Sequence, residues 1–207
     1  PKPLIPINGT PIINRITSNF QKLNIKKIYI SKNKNSKILK AFFNDSENKK
    51  LINFIEENKA LGTIGALQLL KSKISNNFFI SNCDTIIKAD YYDIYEKHIK
   101  SKNLLTIVSC KFNEEIPYGI CNIKKDNQLI NIIEKPKQMY LANTGFYIAK
   151  KEIIEFIPKN KKFDMNILIK NLLKKKYKIG VYSINPDQWV DVGNWGEYNK
   201  IKNKNEN

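Results

Sequence analysis

Two aspartates stand where a chain of this pattern can hold a cation. Asp84 comes just after the apolar run Phe78-Phe79-Ile80, and Asp191 comes between Trp189-Val190 and Val192-Gly193. In open α/β sheets ligands bind beyond the carboxyl ends of strands, and an aspartate there is a hard oxygen ligand. Mg²⁺ needs only one or two carboxylates when phosphate oxygens complete its shell, so the pair reads as a metal site facing phosphates. Taken singly, each aspartate is equally a turn or cap residue. In Glu134-Lys135-Pro136 the proline stops a strand and restricts the residue before it. The carboxylate there can accept hydroxyl groups and the ammonium can neutralise a phosphate; the alternative is an ordinary charged turn. Leu61-Gly62-Thr63 places small residues at the start of a helical pattern, where backbone N–H groups can bond an acceptor; simple capping by Thr63 is the alternative. Lys2, between Pro1 and Pro3, reads by itself as a surface lysine.

The elements that must position these groups follow from apolar period. Thr10-Pro11 reads as an N-cap followed by proline in the first helical turn, with Ile12, Ile13, Ile16, Phe20 and Leu23 as the apolar face. Strands are expected at 27–31, 51–55, 77–83 and 104–111, and helices at 36–43, 63–74 and 91–102. The run Phe78-Phe79-Ile80 suits a buried parallel strand. This β/α alternation predicts a sheet covered by helices. Further on, 118–124 and 129–134 form a hairpin across Lys125-Asp126-Asn127, and 144–149 and 178–184 are strands. Short helices are expected at 151–157, stopped by Pro158, and from Met165 to about Lys175, capped by Asp164. A last helix is expected from Asn194 to about Lys202. With no linker or repeat, residues 1–202 read as one domain and 203–207 as a frayed tail.

Composition narrows the function classes. The 207 residues suffice for a core without disulfides or metal staples. Cys83, Cys110 and Cys121 are odd in number and lack CxxC spacing, which fits a reducing cytoplasm. The single histidine, His98, reads as a surface or half-buried helix residue. No apolar run approaches the ~20 residues of a membrane span, and the proline-rich start lacks the apolar stretch of a secretory leader. The net charge of +17 suggests nucleic acid, yet Arg15 is the only arginine among 36 basic residues. Base readout favours arginine forks, so the lysines read mainly as surface residues. The start at Pro1 reads as a processed, cropped or fragmentary chain.

Taken in order, Pro1-Lys2-Pro3-Leu4-Ile5-Pro6-Ile7, Leu61-Gly62-Thr63, Asn82-Cys83-Asp84, Tyr118-Gly119, Glu134-Lys135-Pro136, Asn143-Thr144-Gly145 and Trp189-Val190-Asp191-Val192-Gly193 form a series. The series spans nearly the whole chain. It resembles the sugar-1-phosphate nucleotidyltransferases, and among them the guanylyltransferase-like members acting on mannose-, heptose- or amino-sugar 1-phosphates. The resemblance implies a Rossmann-like, mostly parallel mixed sheet flanked by helices, with a β-hairpin insertion. It implies the reaction of NTP and sugar 1-phosphate to NDP-sugar and pyrophosphate, with Mg²⁺ as cofactor and GTP the favoured nucleotide.

Carried over by motif, Lys2 matches a phosphate-binding lysine, and Glu57, Gly62 and Thr63 match the segment along the base. Asp84 and Asp191 match the metal aspartates, and Glu134 and Lys135 match the sugar and sugar-phosphate contacts. Tyr118, Gly119, Asn143, Thr144 and Gly145 match the sugar pocket. The family also has an interior first strand and a glycine-rich loop ahead of the Lys2 motif. The eight glycines here form no such loop, so the resemblance implies a domain truncated at its N-terminal side. The partners implied are small molecules, with neither nucleic acid nor membrane, in the cytoplasm; a homo-oligomer stays open. Two other readings remain: a non-catalytic nucleotide-sugar-binding subunit or inactive fragment, and a basic nucleic-acid-binding domain.

Overall fold

A computed structural model describes residues 2–23, 25–33, 36–44 and 47–193. The helix expected from Asn194 and the tail 203–207 lie outside the described residues. In chain order the elements are β1 (Pro6–Ile7), β2 (Thr10–Pro11), α1 (Ile12–Gln21), β3 (Ile28–Asn33), α2 (Lys37–Asn44), β4 (Ile52–Glu57), β5 (Asn77–Ser81) and β6 (Thr85–Ile87). They continue with α3 (Tyr91–Lys100), β7 (Leu105–Glu115), β8 (Ile120–Ile123), β9 (Leu129–Ile133), β10 (Lys137–Lys150), α4 (Met165–Lys174), β11 (Ile179–Ile184) and β12 (Trp189–Asp191). Short 3₁₀ turns include Lys2–Leu4, Gly65–Leu70 and Lys151–Phe156.

A four-stranded sheet, in the order β11-β7-β10-β5, carries the fold. β7 and β11 run parallel, while β10 is antiparallel to both β7 and β5. β10 shows why both faces are covered. Phe146 and Ile148 point into one core with α1 and α3, and Tyr147 and Ala149 point into another with α4. This is the period-two alternation of a strand buried on both sides. Four rings from four elements meet in the first core. Phe20 of α1 stacks on Phe146 at 5.8 Å, and Phe79 of β5 and Tyr91 of α3 close the cluster at 5.6 and 4.8 Å from Phe146. Such pairs each add about 0.5–1.5 kcal/mol beyond area burial. β3 and β4 form a separate parallel pair; among the described residues no ladder joins it to β5.

Several local expectations change. Thr10-Pro11 does not start the helix with a side-chain cap; it pairs with Pro6-Ile7, and Pro11 takes the N-cap position with no side-chain hydrogen bond. Backbone pairing to Ile7 has claimed the residue that a local capping rule assigns to α1. The 63–74 helix reduces to the turn Gly65–Leu70, and 151–157 is likewise 3₁₀. Phe78-Phe79-Ile80 lies in an antiparallel strand at the edge of its sheet, half-buried rather than fully buried. The expected strand 144–149 is the inner half of a 14-residue strand. Its outer half and the end of β7 project as an exposed arm, next to the β8–β9 hairpin.

His98 is fully buried, not on the surface. On α3, Tyr91, Ile94 and His98 share the inward face, and His98 Nδ1 lies 2.8 Å from Thr106 Oγ1 of β7. All three cysteines are free. Among the described residues no helix is long and apolar enough to cross a membrane.

Candidate active site

The site is built where β5 gives way to β6, at the end of β12 and at the middle of β10. β12 pairs antiparallel with β6, setting Asp191 opposite Thr85. Val192 N donates to Asp84 O at 3.0 Å, so the two aspartate segments are held side by side by backbone bonds. From the Lys2–Leu4 turn, Lys2 Nζ reaches Asp84 Oδ2 at 2.8 Å. That hydrogen bond, reinforced by the Asp84 charge, holds the Lys2 pKa above its ordinary value. Gly193 N donates to Asp191 Oδ1 at 2.8 Å.

Gly193 marks the centre of this group. A Cβ on Gly193 would lie 2.8 Å from Asp191 Oδ1, 3.2 Å from Asp84 Oδ2 and 3.2 Å from Lys2 Nζ. Two carboxylate oxygens thus face one small space that a side chain would fill. The donor set suits a hard divalent cation whose remaining ligands come from phosphate and water. Among the described residues no cluster of three or more such side chains forms a closed metal cage.

Beside these residues opens a cavity of about 640 Å³, lined in part by Asp84, Asn143, Gly145, Asp164, Asp191 and Gly193. A bulge makes its wall. The β7–β10 register shifts between Asn143 and Phe146, and bulges re-aim side chains. Thr144 satisfies the break: its hydroxyl donates to Val108 O at 2.8 Å and accepts from Phe146 N at 3.3 Å. Asn143 is thereby turned toward the Tyr147 hydroxyl, to which its Nδ2 donates at 2.8 Å. Thr144 is itself 2% exposed, so its side chain props the wall rather than touching a ligand.

Glu57 does not offer a free carboxylate. Its Oε2 accepts from Leu61 N at 2.8 Å, and its Oε1 accepts from the Ser31 hydroxyl. It shapes the 61–63 loop, which the family resemblance assigns to the base. Gly62 has φ +79°, a left-handed turn that glycine adopts without a Cβ clash, and Thr63 lines the cavity.

Tyr118, Gly119, Glu134 and Lys135 are not on the cavity wall. They flank the exposed β8–β9 hairpin, where a Cβ on Gly119 would meet Glu134 Oε2 at 2.9 Å. The structure therefore brings the Tyr118-Gly119 and Glu134 motifs together, but apart from the aspartates. Conversely, Tyr147, Asp164 and Asn166 line the cavity and were not singled out as site residues. Asp164 was legible only as a helix cap; Tyr147 and Asn166 carried no local signal.

Among the described residues the cavity wall holds three aspartates and no lysine or arginine. Lys2, at the rim against Asp84, brings an ammonium to this acidic wall.

A mixed sheet between helices, with two aspartates and a lysine brought together beside an open cavity, makes this an α/β domain with an acidic site. The chain matches the nucleotidyl transferase family over residues 1–207, and it belongs to that family. A D-glycero-alpha-D-manno-heptose 1-phosphate guanylyltransferase of Aneurinibacillus thermoaerophilus is 29% identical over 207 residues, covering 98% of this chain and 88% of that protein. A bifunctional protein GlmU of Methanocaldococcus jannaschii is 31% identical over 201 residues, covering 93% of this chain. The chain spans about half the length of the GlmU relatives, 46% in that case. Among solved structures, HddC from Yersinia pseudotuberculosis superposes with TM-score 0.74 at 27% identity, covering 99% of this chain and 89% of that one. HddC has also been solved complexed with GMP-PN, with TM-score 0.73.

Proposed function

We propose that the chain transfers a nucleotidyl group from a nucleoside triphosphate, GTP by preference, to a sugar 1-phosphate, releasing pyrophosphate. The observation that carries this reading is the convergence of Lys2, Asp84 and Asp191 on the space at Gly193, at the rim of the cavity. The preference for GTP and for a heptose- or mannose-type sugar draws on the guanylyltransferase relatives and on the GMP-PN complex of HddC.

The chemistry needs no protein nucleophile. An oxygen of the sugar phosphate attacks the α-phosphorus, and the bond to the β-phosphate oxygen breaks. Two phosphorylated anions must meet beside an acidic wall, which positioning and charge neutralisation make feasible. Asp84 and Asp191 would hold Mg²⁺, which when bound neutralises phosphate charge. Lys2 contributes a fixed ammonium at the same edge. The 61–63 loop, shaped by Glu57, receives the base. Asn143 and Gly145 line the sugar side, with Thr144 supporting them. Glu134 and Lys135 are assigned to the sugar phosphate, with Tyr118 and Gly119 beside them, on motif resemblance alone. That assignment requires the β8–β9 hairpin to approach the cavity.

The test is pyrophosphate release by the full-length protein from each NTP with a panel of sugar 1-phosphates and Mg²⁺. Turnover with GTP and a heptose or mannose 1-phosphate is the expected result; folded protein inert toward every pair would overturn the proposal.

A further inference from the structure

Thr63 and Asp164 exchange side-chain-to-backbone hydrogen bonds. Asp164 occupies the N-cap of α4 yet makes no side-chain bond to its own helix. Its Oδ1 instead accepts from Thr63 N at 2.9 Å, across 101 residues. In return Thr63 Oγ1 accepts from Met165 N, the first residue of α4, at 2.9 Å. Two backbone bonds flank the exchange, Phe163 N to Leu61 O at 2.9 Å and Ile64 N to Phe163 O at 3.2 Å. A Cβ on Gly62 would stand 2.6 Å from Asp164 Oδ1 and 2.7 Å from Phe163 O, so the loop lies flat on the entry to α4. Thr63 and Asp164 both line the cavity.

The loop is therefore strung between two carboxylates: Glu57 holds Leu61 N at one end and Asp164 holds Thr63 N at the other. Without the second hold, a segment containing a left-handed glycine must be ordered by the ligand, and that ordering entropy is subtracted from affinity. We infer that Asp164 is a positioning residue of the nucleotide site, acting through Thr63 to hold the 61–64 backbone in its receiving shape. This rests on the nucleotidyltransferase reading above.

The experiment compares Asp164→Ala, Asp164→Asn and Asp164→Ser with the parent chain. It measures binding of a non-hydrolysable GTP analogue by calorimetry, steady-state kinetics, and amide hydrogen exchange at Thr63. Asp164→Ala is expected to weaken analogue binding about tenfold, in line with loss of one charge-assisted hydrogen bond. KM for the triphosphate rises while kcat stays within about twofold, and the Thr63 amide exchanges faster. Asp164→Asn retains an acceptor at Oδ1 and restores binding. Serine is a strong local N-cap but too short to reach Thr63. Asp164→Ser therefore keeps the melting temperature while losing affinity, which a merely structural role would not produce, and it serves if the alanine variant fails to fold. Parent-like affinity in Asp164→Ser, or an Asn variant as weak as Ala, overturns the inference and leaves the function standing. A parent chain that binds no nucleoside triphosphate overturns the function first and this inference with it.

Discussion

Lys2 Nζ lies 2.8 Å from Asp84 Oδ2, although 82 residues separate them in the chain. Both groups face the space at Gly193, which Asp191 Oδ1 also faces. The lysine thus sits as an internal cation on one of the two carboxylates assigned to the metal.

Lys2→Met should act oppositely on two measurements. Removing the ammonium frees Asp84, so divalent-cation binding to the nucleotide-free chain tightens in a Mn²⁺ titration. Turnover falls by at least about a hundredfold, the scale for losing one preorganised charge partner of a transition state. Unchanged turnover would remove Lys2 from the chemistry.

Asp84→Ala and Asp191→Ala should each abolish Mg²⁺-dependent pyrophosphate release. Asp84 and Asp191 are part-exposed at strand ends, so both variants should remain folded by circular dichroism. Retained activity in both would contradict the metal assignment.

Gly193→Ala places a methyl group 2.8 Å from Asp191 Oδ1. It should weaken Mn²⁺ binding at least about tenfold while shifting the melting temperature by only a few degrees, because the contact is at a rim and not in the core. Parent-like metal affinity would show that the cation does not use this space.

Phe146→Ala should cost about 3–5 kcal/mol in urea unfolding. Phe146 is fully buried and is the ring shared by contacts to Phe20, Phe79 and Tyr91. A loss below about 1 kcal/mol would contradict the central place given to this cluster.

Burial, with the nearby positive charge of Lys150 as a smaller cause, lowers the pKa of His98 to about 4. The unfolded chain binds this proton near 6.5, and the folded chain does not until about 4. The contribution is therefore fully present above pH 6.5 and is lost as pH falls toward 4. At 1.36 kcal/mol per pKa unit, the loss is on the order of 3 kcal/mol. His98→Gln should flatten this part of the stability–pH curve; an equally steep fall in the variant would place the sensitivity elsewhere.

Sequence alone was sufficient for features that depend on near neighbours. The apolar run ending at Ile80 and the residues before Asp191 marked strand ends, and the structure brings Asp84, Asp191 and Lys2 to one point. The β8–β9 hairpin followed from its turn residues, and the covered face of α1 followed from its period. Tertiary structure decided whatever depends on which distant segment competes for the same atoms. Thr10 was drawn into a pairing with Ile7, Thr63 Oγ1 took the first N–H of α4, and Asp164 bonded Thr63 N rather than its own helix. β5 became an antiparallel edge strand, and the bulge at Asn143 turned that residue and Tyr147 into cavity wall. A hydrogen bond has one geometry but many candidate partners; local spacing names the donors and acceptors, and only the packed chain selects among them.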